Sequence, residues 1–365
     1  MGEAAGIAGD RMMATMACAT RAVAPAQPCF IAADVGGTNA RVSLVRTDAN
    51  GALQVLSWQR YPCADYPSLA AILAEFVEGH PAREGIDCMV IASAGVVLDD
   101  EVINSNLPWR IKLAELRDSL HLRELHVVND FAAAAHGVGR LGAADTRLLT
   151  PGVIAATTIG PALVVGAGTG LGAAVCIPTG HGVVVLPTEA GMAAFAPGNA
   201  REMEILAWLR KQGHRHVCTE QLLSGPGLVN LYRGLAELHG TLATLQTPAQ
   251  IVQAAQQDEA LALEAVLLFC GVLGSVIGDL AMITSAHSVY VAGGVVPQLI
   301  DFLPRSEFHA RLVDKGAMRA VQERIPVRLV ENEKLGVLGA ASWYLQHLHA
   351  RDHREQATPR PATTN

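Results

Sequence analysis

Ile31-Ala32-Ala33-Asp34-Val35-Gly36-Gly37-Thr38-Asn39-Ala40-Arg41-Val42-Ser43-Leu44-Val45 decides how the rest of this chain is read. An apolar run ends in an aspartate, a Gly-Gly-Thr-Asn turn comes next, and an alternating run resumes. Adjacent glycines can take positive φ and let bare backbone approach a ligand. Successive N–H groups in such a turn form an anion-binding concavity, to which Thr38 adds a hydroxyl donor. Asp34 is a hard oxygen ligand suited to Mg2+, or to its water shell, rather than to the anion. Ala33, Asp34, Val35, Gly36, Gly37 and Thr38 therefore read as a site for a Mg2+-bound polyphosphate. The bland alternative is an ordinary hairpin with Asp34 as an Asx-type turn former.

The residues after the glycines separate the nucleotide folds. A Rossmann or P-loop glycine turn opens a helix whose N-terminus takes the phosphate. Here Arg41–Thr47 alternates with a period of two, and an Asp48-Ala49-Asn50-Gly51 turn leads to a further strand-like run, Leu53–Trp58. That is an antiparallel meander. No lysine comes after the glycines, which removes a Walker loop.

At 365 residues the chain exceeds one usual core, so two domains are expected. Half of it is hydrophobic and 17% is charged, which supplies buried cores and argues against disorder. The formal charge is −7 and no Lys/Arg cluster interleaves with aromatics, which argues against a nucleic-acid partner. Seven scattered cysteines without a C-x-x-C fit reduced, cytoplasmic thiols, with neither a disulfide frame nor a zinc site. The uncharged stretch between Arg147 and Glu189 is broken by Pro and Gly too often to cross a membrane. Residues 1–27 read as an extension, a late start or an expression remnant, and 351–365 as a disordered tail.

The chain then repeats its own logic. Ser68–Glu78 predicts a helix capped by Ser68, Met89–Val97 a buried strand, Leu113–Leu120 a helix, Leu125–Val128 a strand and Phe131–Leu141 a helix. This order implies parallel pairing, with Asn129-Asp130 at a strand's carboxyl end, where open α/β sheets place their sites. Leu163–Val175 again runs strand, Gly/Thr turn, strand, with Gly168, Thr169 and Gly170 in the turn. Gly293-Gly294 ends the apolar run Ser288–Val291. The pattern is a duplicated core closing on a nucleotide from two sides.

These residues carry a family resemblance. Asp34–Arg41 is similar to the first phosphate motif of bacterial glucokinases, within the actin-like, ribonuclease-H-like ATPase superfamily. Asn104-Ser105-Asn106-Leu107-Pro108-Trp109 resembles the sugar-domain loop, Val128-Asn129-Asp130-Phe131 the catalytic-aspartate motif and Gly166–Gly172 the second phosphate loop. Glu220 with Leu223–Arg233 resembles a long shared segment, and Ala292–Pro297 the adenosine-side turn. The resemblance implies a two-domain α/β fold with a duplicated mixed-sheet core and an interdomain cleft. The smaller domain would comprise 28–140, completed by about 333–350, and the larger 141–332. It further implies a cytoplasmic enzyme that moves the γ-phosphoryl group of ATP to the 6-hydroxyl of glucose at the first step of glycolysis. ATP and Mg2+ would be its cofactors, a hexose its substrate, and a homodimer is compatible with it. Asp130 would be the general base, Asn106, Asn129, Glu189 and Glu220 sugar ligands, and Gly293 and Gly294 nucleotide contacts.

Without the resemblance, Asn129-Asp130 reads as a helix cap, Glu220 as a surface charge and His214/His216 as a solvated pair. One departure stands out: the family's Glu-Gly-Gly-His is Glu189-Ala190-Gly191-Met192 here. A thioether is only a weak acceptor and cannot replace the imidazole's hydrogen bond to a sugar. Two function classes remain: an active hexose kinase, for glucose or another sugar, and a weak or inactive sugar- or nucleotide-binding paralogue with a regulatory role.

Overall fold

The computed structural model describes residues 29–48, 52–80, 85–104, 107–150, 152, 159–180 and 182–357, the last nine as backbone only. The expected 1–27 extension and residues 49–51 of the expected Asn-Gly turn lie outside the described residues. Phe30–Val35 (β1) is buried along almost its whole length because it lies inside a sheet covered on both faces. β2 (Asn39–Thr47) and β3 (Leu53–Pro62) complete the meander, and β3 runs four residues beyond the expected strand. Helix α1 (Leu69–Glu78) starts where Ser68 Oγ accepts the Ala71 N–H, 3.2 Å away, and buries Leu69, Ile72, Leu73, Phe76 and Val77. β4 (Cys88–Ser93) comes next. The single strand expected over Met89–Val97 breaks at Ser93, because Gly95 turns the chain at φ +111°. Val96–Leu98 (β5) instead joins β6 (Glu101–Ile103) and β7 (Ile111–Lys112) in a small separate sheet. α2 (Leu113–Leu120), β8 (Glu124–Val128) and α3 (Asp130–Gly137) finish this half. The helix expected to reach Leu141 tightens into a 3-10 turn at Val138–Arg140.

The second half begins with β9 (Thr146–Leu148), β10 (Ala162–Ala167), β11 (Leu171–Thr179) and β12 (Gly182–Thr188). Helices α4 (Ala200–Lys211), α5 (Gly225–Leu238), α6 (Pro248–Gln256) and α7 (Ala260–Ile283) lead to β13 (Ser288–Ala292). α8 (Phe308–Val313), α9 (Arg319–Gln322), β14 (Val327–Val330) and α10 (Leu335–Ala357) close the chain. α7 is the one described helix long and apolar enough to cross a bilayer. Its Ala265, Phe269, Cys270, Leu273 and Ile277 are nevertheless core residues of this half, packed with α5, α6 and α8. α10 continues to Ala357, past the start of the expected tail. Arg351–Ala357 holds no breaker, and the first proline comes at 359.

The two main sheets have the same order. One is β3-β2-β1-β4-β8, the other β12-β11-β10-β13-β14, to which β9 adds an antiparallel edge. In each, the first three strands are antiparallel and the fourth pairs parallel to the first. This is the duplication that the two glycine turns announce. Helix α3 lies between the sheets. Ala132 and Ala133 pack with β1, β4 and α10, while Ala134, Ala135 and Val138 pack with β10 and β11. A run of four alanines lets one helix serve two cores at once. α10 crosses it closely, since a side chain on Gly339 would strike the Ala133 carbonyl.

Candidate active site

The register of β1 and β2 pairs Asp34 with Arg41 across the glycine turn, and the guanidinium lies 3.4 Å from the carboxylate. Burial pushes the Asp34 carboxyl above its usual range, against the pull of Arg41. Gly36 closes the turn by donating its N–H to Asn39 O at 3.0 Å, without entering the left-handed region. There the permission that glycine grants goes unused, and what matters is bare backbone. Cys63 backs the turn: its N–H bonds Thr38 O at 2.9 Å and its thiol Gly36 O at 3.4 Å. Trp109 Nε1 donates to Cys63 O at 3.2 Å, which ties Trp109 to the residue that backs the glycine turn. Asn106 itself lies outside the described residues.

β8 delivers Asn129 and Asp130 to the same end of the sheet. Asn129 is the helix cap: its Oδ1 accepts the Ala132 N–H at 3.0 Å, which leaves its amide NH2 as the group a ligand would meet. Asp130 is the first helical residue, with Oδ1 accepting the Phe131 N–H at 2.9 Å. Burial, then the neighbouring Asp34 and, more weakly, Glu189 raise its carboxyl to about 6, against backbone hydrogen bonds that pull it down. Asp34, Arg41, Asp130, Gly293, Gly294 and Gly336 line one cleft of about 710 Å³. Gly293 does use its freedom, at φ +86°, where a Cβ would meet the Ala167 carbonyl. Gly336, at the start of α10, lets that helix rest on the Asp34 carboxylate.

Gly168, Thr169, Gly170, Glu189 and Glu220 do not line this cleft. All but Thr169 are held by a second hydrogen-bonded cradle or stand beside it. Glu220 Oε2 accepts the Leu171 N–H at 2.9 Å, and a side chain on Gly170 would strike that carboxylate. Gly225 N–H donates to Gly168 O at 2.8 Å. Thr219 Oγ1 donates to Ala190 O and Gly191 O at 3.1 and 3.0 Å. The Gly168–Leu171 turn, the Glu189–Met192 loop and the Thr219–Gln221 turn thus form one unit. Its charge reaches Asp130 through Glu189.

The departure at 190 carries no strain, because Ala190 sits in a 3-10 turn and is not among the positive-φ residues. Met192 is 45% exposed. An imidazole does stand nearby: His216 Nε2 lies 2.8 Å from Met192 O. His214 pairs with Gln221 instead, so the two histidines face different partners. Sequence reasoning missed Arg41, Thr219 and Gly336, and read His216 only as half of a solvated pair. Only Arg41 had a signal, since a four-residue turn between paired strands puts it opposite Asp34.

Two sheets of one topology, each with a Gly/Thr turn, and an aspartate between them make up the actin-like, ribonuclease-H-like ATPase fold. The glucokinase family profile matches residues 31–347, and the chain belongs to the glucokinase family. It is 44% identical over 327 residues to a glucokinase-like protein of Xylella fastidiosa, covering 88% of this chain and 96% of that one. It is 38% identical over 308 residues to a glucokinase of Chromohalobacter salexigens, covering 84% and 94%. A glucokinase crystal structure from an Antarctic psychrotroph superposes with a TM-score of 0.74 at 30% identity, covering 87% and 98%.

Proposed function

We propose that this chain is an ATP-dependent hexose 6-kinase acting on glucose in the cytoplasm. The observation that carries the reading is Asp130, a carboxylate with its pKa raised to about 6, in a cleft shared with the Asp34 turn and Gly293-Gly294. A base tuned near neutrality, beside a phosphate-binding turn, suits proton removal from an attacking hydroxyl. The smaller domain, 28–140 with about 333–350, and the larger, 141–332, would form the walls of the cleft.

In this reading Asp130 accepts the proton of the sugar 6-hydroxyl as that oxygen attacks the γ-phosphorus. The Asn129 amide donates to a sugar oxygen, while Glu189 and Glu220 accept from sugar hydroxyls, and Asn106 contributes from its loop. Backbone N–H groups of the Gly36–Thr38 and Gly168–Gly170 turns receive the phosphates, and Gly293-Gly294 the adenosine side. The donor chemistry fits Mg2+: one partly exposed carboxylate, Asp34, is suited to an ion that keeps several waters. Mg2+ would neutralise charge developing on the phosphates. Arg41 holds Asp34 in place.

Met192 favours a second reading, a weakened glucose site or a different hexose, because its side chain supplies no strong hydrogen bond. Coupled ADP release over a panel of hexoses decides. Turnover with glucose, yielding the 6-phosphate, is expected. Turnover confined to another hexose replaces the substrate, and none with any hexose overturns the kinase.

A further inference from the structure

At the far end of the first sheet from Asp34 and Asp130 lies a cluster that the proposed chemistry does not use. β4 and β8 pair in parallel so that Cys88 stands beside Glu124, and Val90 beside His126. Residues two apart on a strand share a face, so Cys88, Glu124 and His126 project together. The Cys88 thiol, a Glu124 carboxylate oxygen and a His126 ring nitrogen all lie within 4.8 Å of one another. Cys88 is 4% exposed, and the Glu124 and His126 side chains 18% and 25%. α10 covers them. Tyr344 hydroxyl donates to Glu124 Oε2 at 3.4 Å, and the His126 ring lies 5.6 Å from that of His347, which stacks on Trp343 at 5.1 Å.

We propose that Cys88, Glu124, His126 and His347 bind one thiophilic divalent cation of the zinc class, which clamps α10 to the edge of the first sheet. Thiolate, carboxylate and two imidazoles are a tetrahedral zinc donor set, with a charge that balances the ion. Two imidazoles on one such ion, with Zn–N bonds of about 2.0–2.1 Å, hold their ring centres about 5 Å apart. The two rings stand 5.6 Å apart, and His347, exposed on α10 and outside the 4.8 Å group, has to turn to bring a nitrogen to the ion. Binding replaces the thiol S–H bond with a Zn–S bond and releases one proton to solvent. No spacing motif signals the site, because its ligands come from two neighbouring strands and a helix some 220 residues further on, as in the Glu124–Tyr344 contact. The opposite end of α10 rests on Asp34 through Gly336, so the clamp would steady the helix that reaches the active site.

The test uses the full chain, stripped of metal with a chelator and titrated with zinc chloride, then with Co2+ as a spectroscopic probe. One zinc per chain is expected, together with a rise in Tm and, with Co2+, a thiolate-to-metal charge-transfer band. Cys88→Ser should lose that band, while Cys29→Ser, on the opposite face of the sheet, keeps it. His126→Gln and His347→Ala, which leave the buried thiol in place, should each weaken zinc by more than about a hundredfold, beyond what loss of a mere outer partner costs. A cobalt complex without the thiolate band, or zinc affinity unchanged in both histidine variants, overturns the proposal.

Discussion

In the role proposed for it, Asp130 would carry function at a cost in stability. Its folded pKa of about 6 stands above the ordinary carboxyl value of 3.8. A raised carboxyl pKa contributes stability fully present below the unfolded value, and that contribution is lost as pH rises through the folded one. At pH 7 the ionised group therefore destabilises the fold by at most about 3 kcal/mol. Asp130→Asn should raise Tm at pH 7–8, and the gain should vanish near pH 4. In the parent, kcat/KM should fall about tenfold per pH unit below about 6. Asp34→Asn removes the largest charge that raises Asp130, so its acid limb should move to lower pH. A limb that stays in place would break the coupling. Met192 is the other decisive residue. Met192→His should strengthen glucose binding by about 1–2 kcal/mol, typical of one buried hydrogen bond, and leave ATP binding unchanged. Unchanged glucose KM would mean that the sugar already finds its partner elsewhere, with His216, whose Nε2 lies 2.8 Å from Met192 O, the first to test.

Among the elements, those set by local chemistry were legible in the sequence. Ser68 caps α1, the Asp34 and Gly168 turns join antiparallel strands, and α2 spans Leu113–Leu120. What the sequence could not reveal is set by tertiary approach. Gly95 ends β4 because a small sheet elsewhere takes Val96–Leu98. Glu220 reads as an ordinary charge until Leu171, 49 residues away, presents its N–H. That contact also changes the expectation for Glu220. If the carboxylate acts partly by holding the Gly168–Leu171 turn, proposed to take phosphate, Glu220→Ala should raise KM for both ATP and glucose. A rise for glucose alone, measured in the same assay, would mark it as a sugar ligand and nothing more. Glu220→Gln retains an oxygen for the Leu171 N–H and should spare ATP.

On the scale of the whole molecule, repetition and a cleft were readable, and the packing that sets the two sheets against each other was not. Two Gly/Thr turns about 130 residues apart correspond to two sheets of one order. How they face each other depends on α3 and α10, whose Ala132–Ala135 run and Gly339 crossing carry no motif. Small residues at that crossing suit a hinge between lobes, and sugar should draw the lobes together and exclude water before transfer. Solution scattering should show a smaller radius of gyration with saturating glucose, and identical profiles with and without sugar would contradict closure. In the proposed reaction this chain phosphorylates glucose with Asp130 as base. That role is tested most directly by the rate of ADP formation from ATP and glucose in the parent beside Asp130→Asn. Clear turnover is expected in the parent, with a loss of at least about a hundredfold in kcat in the variant, which still binds glucose. A variant within a factor of a few of an active parent would contradict it.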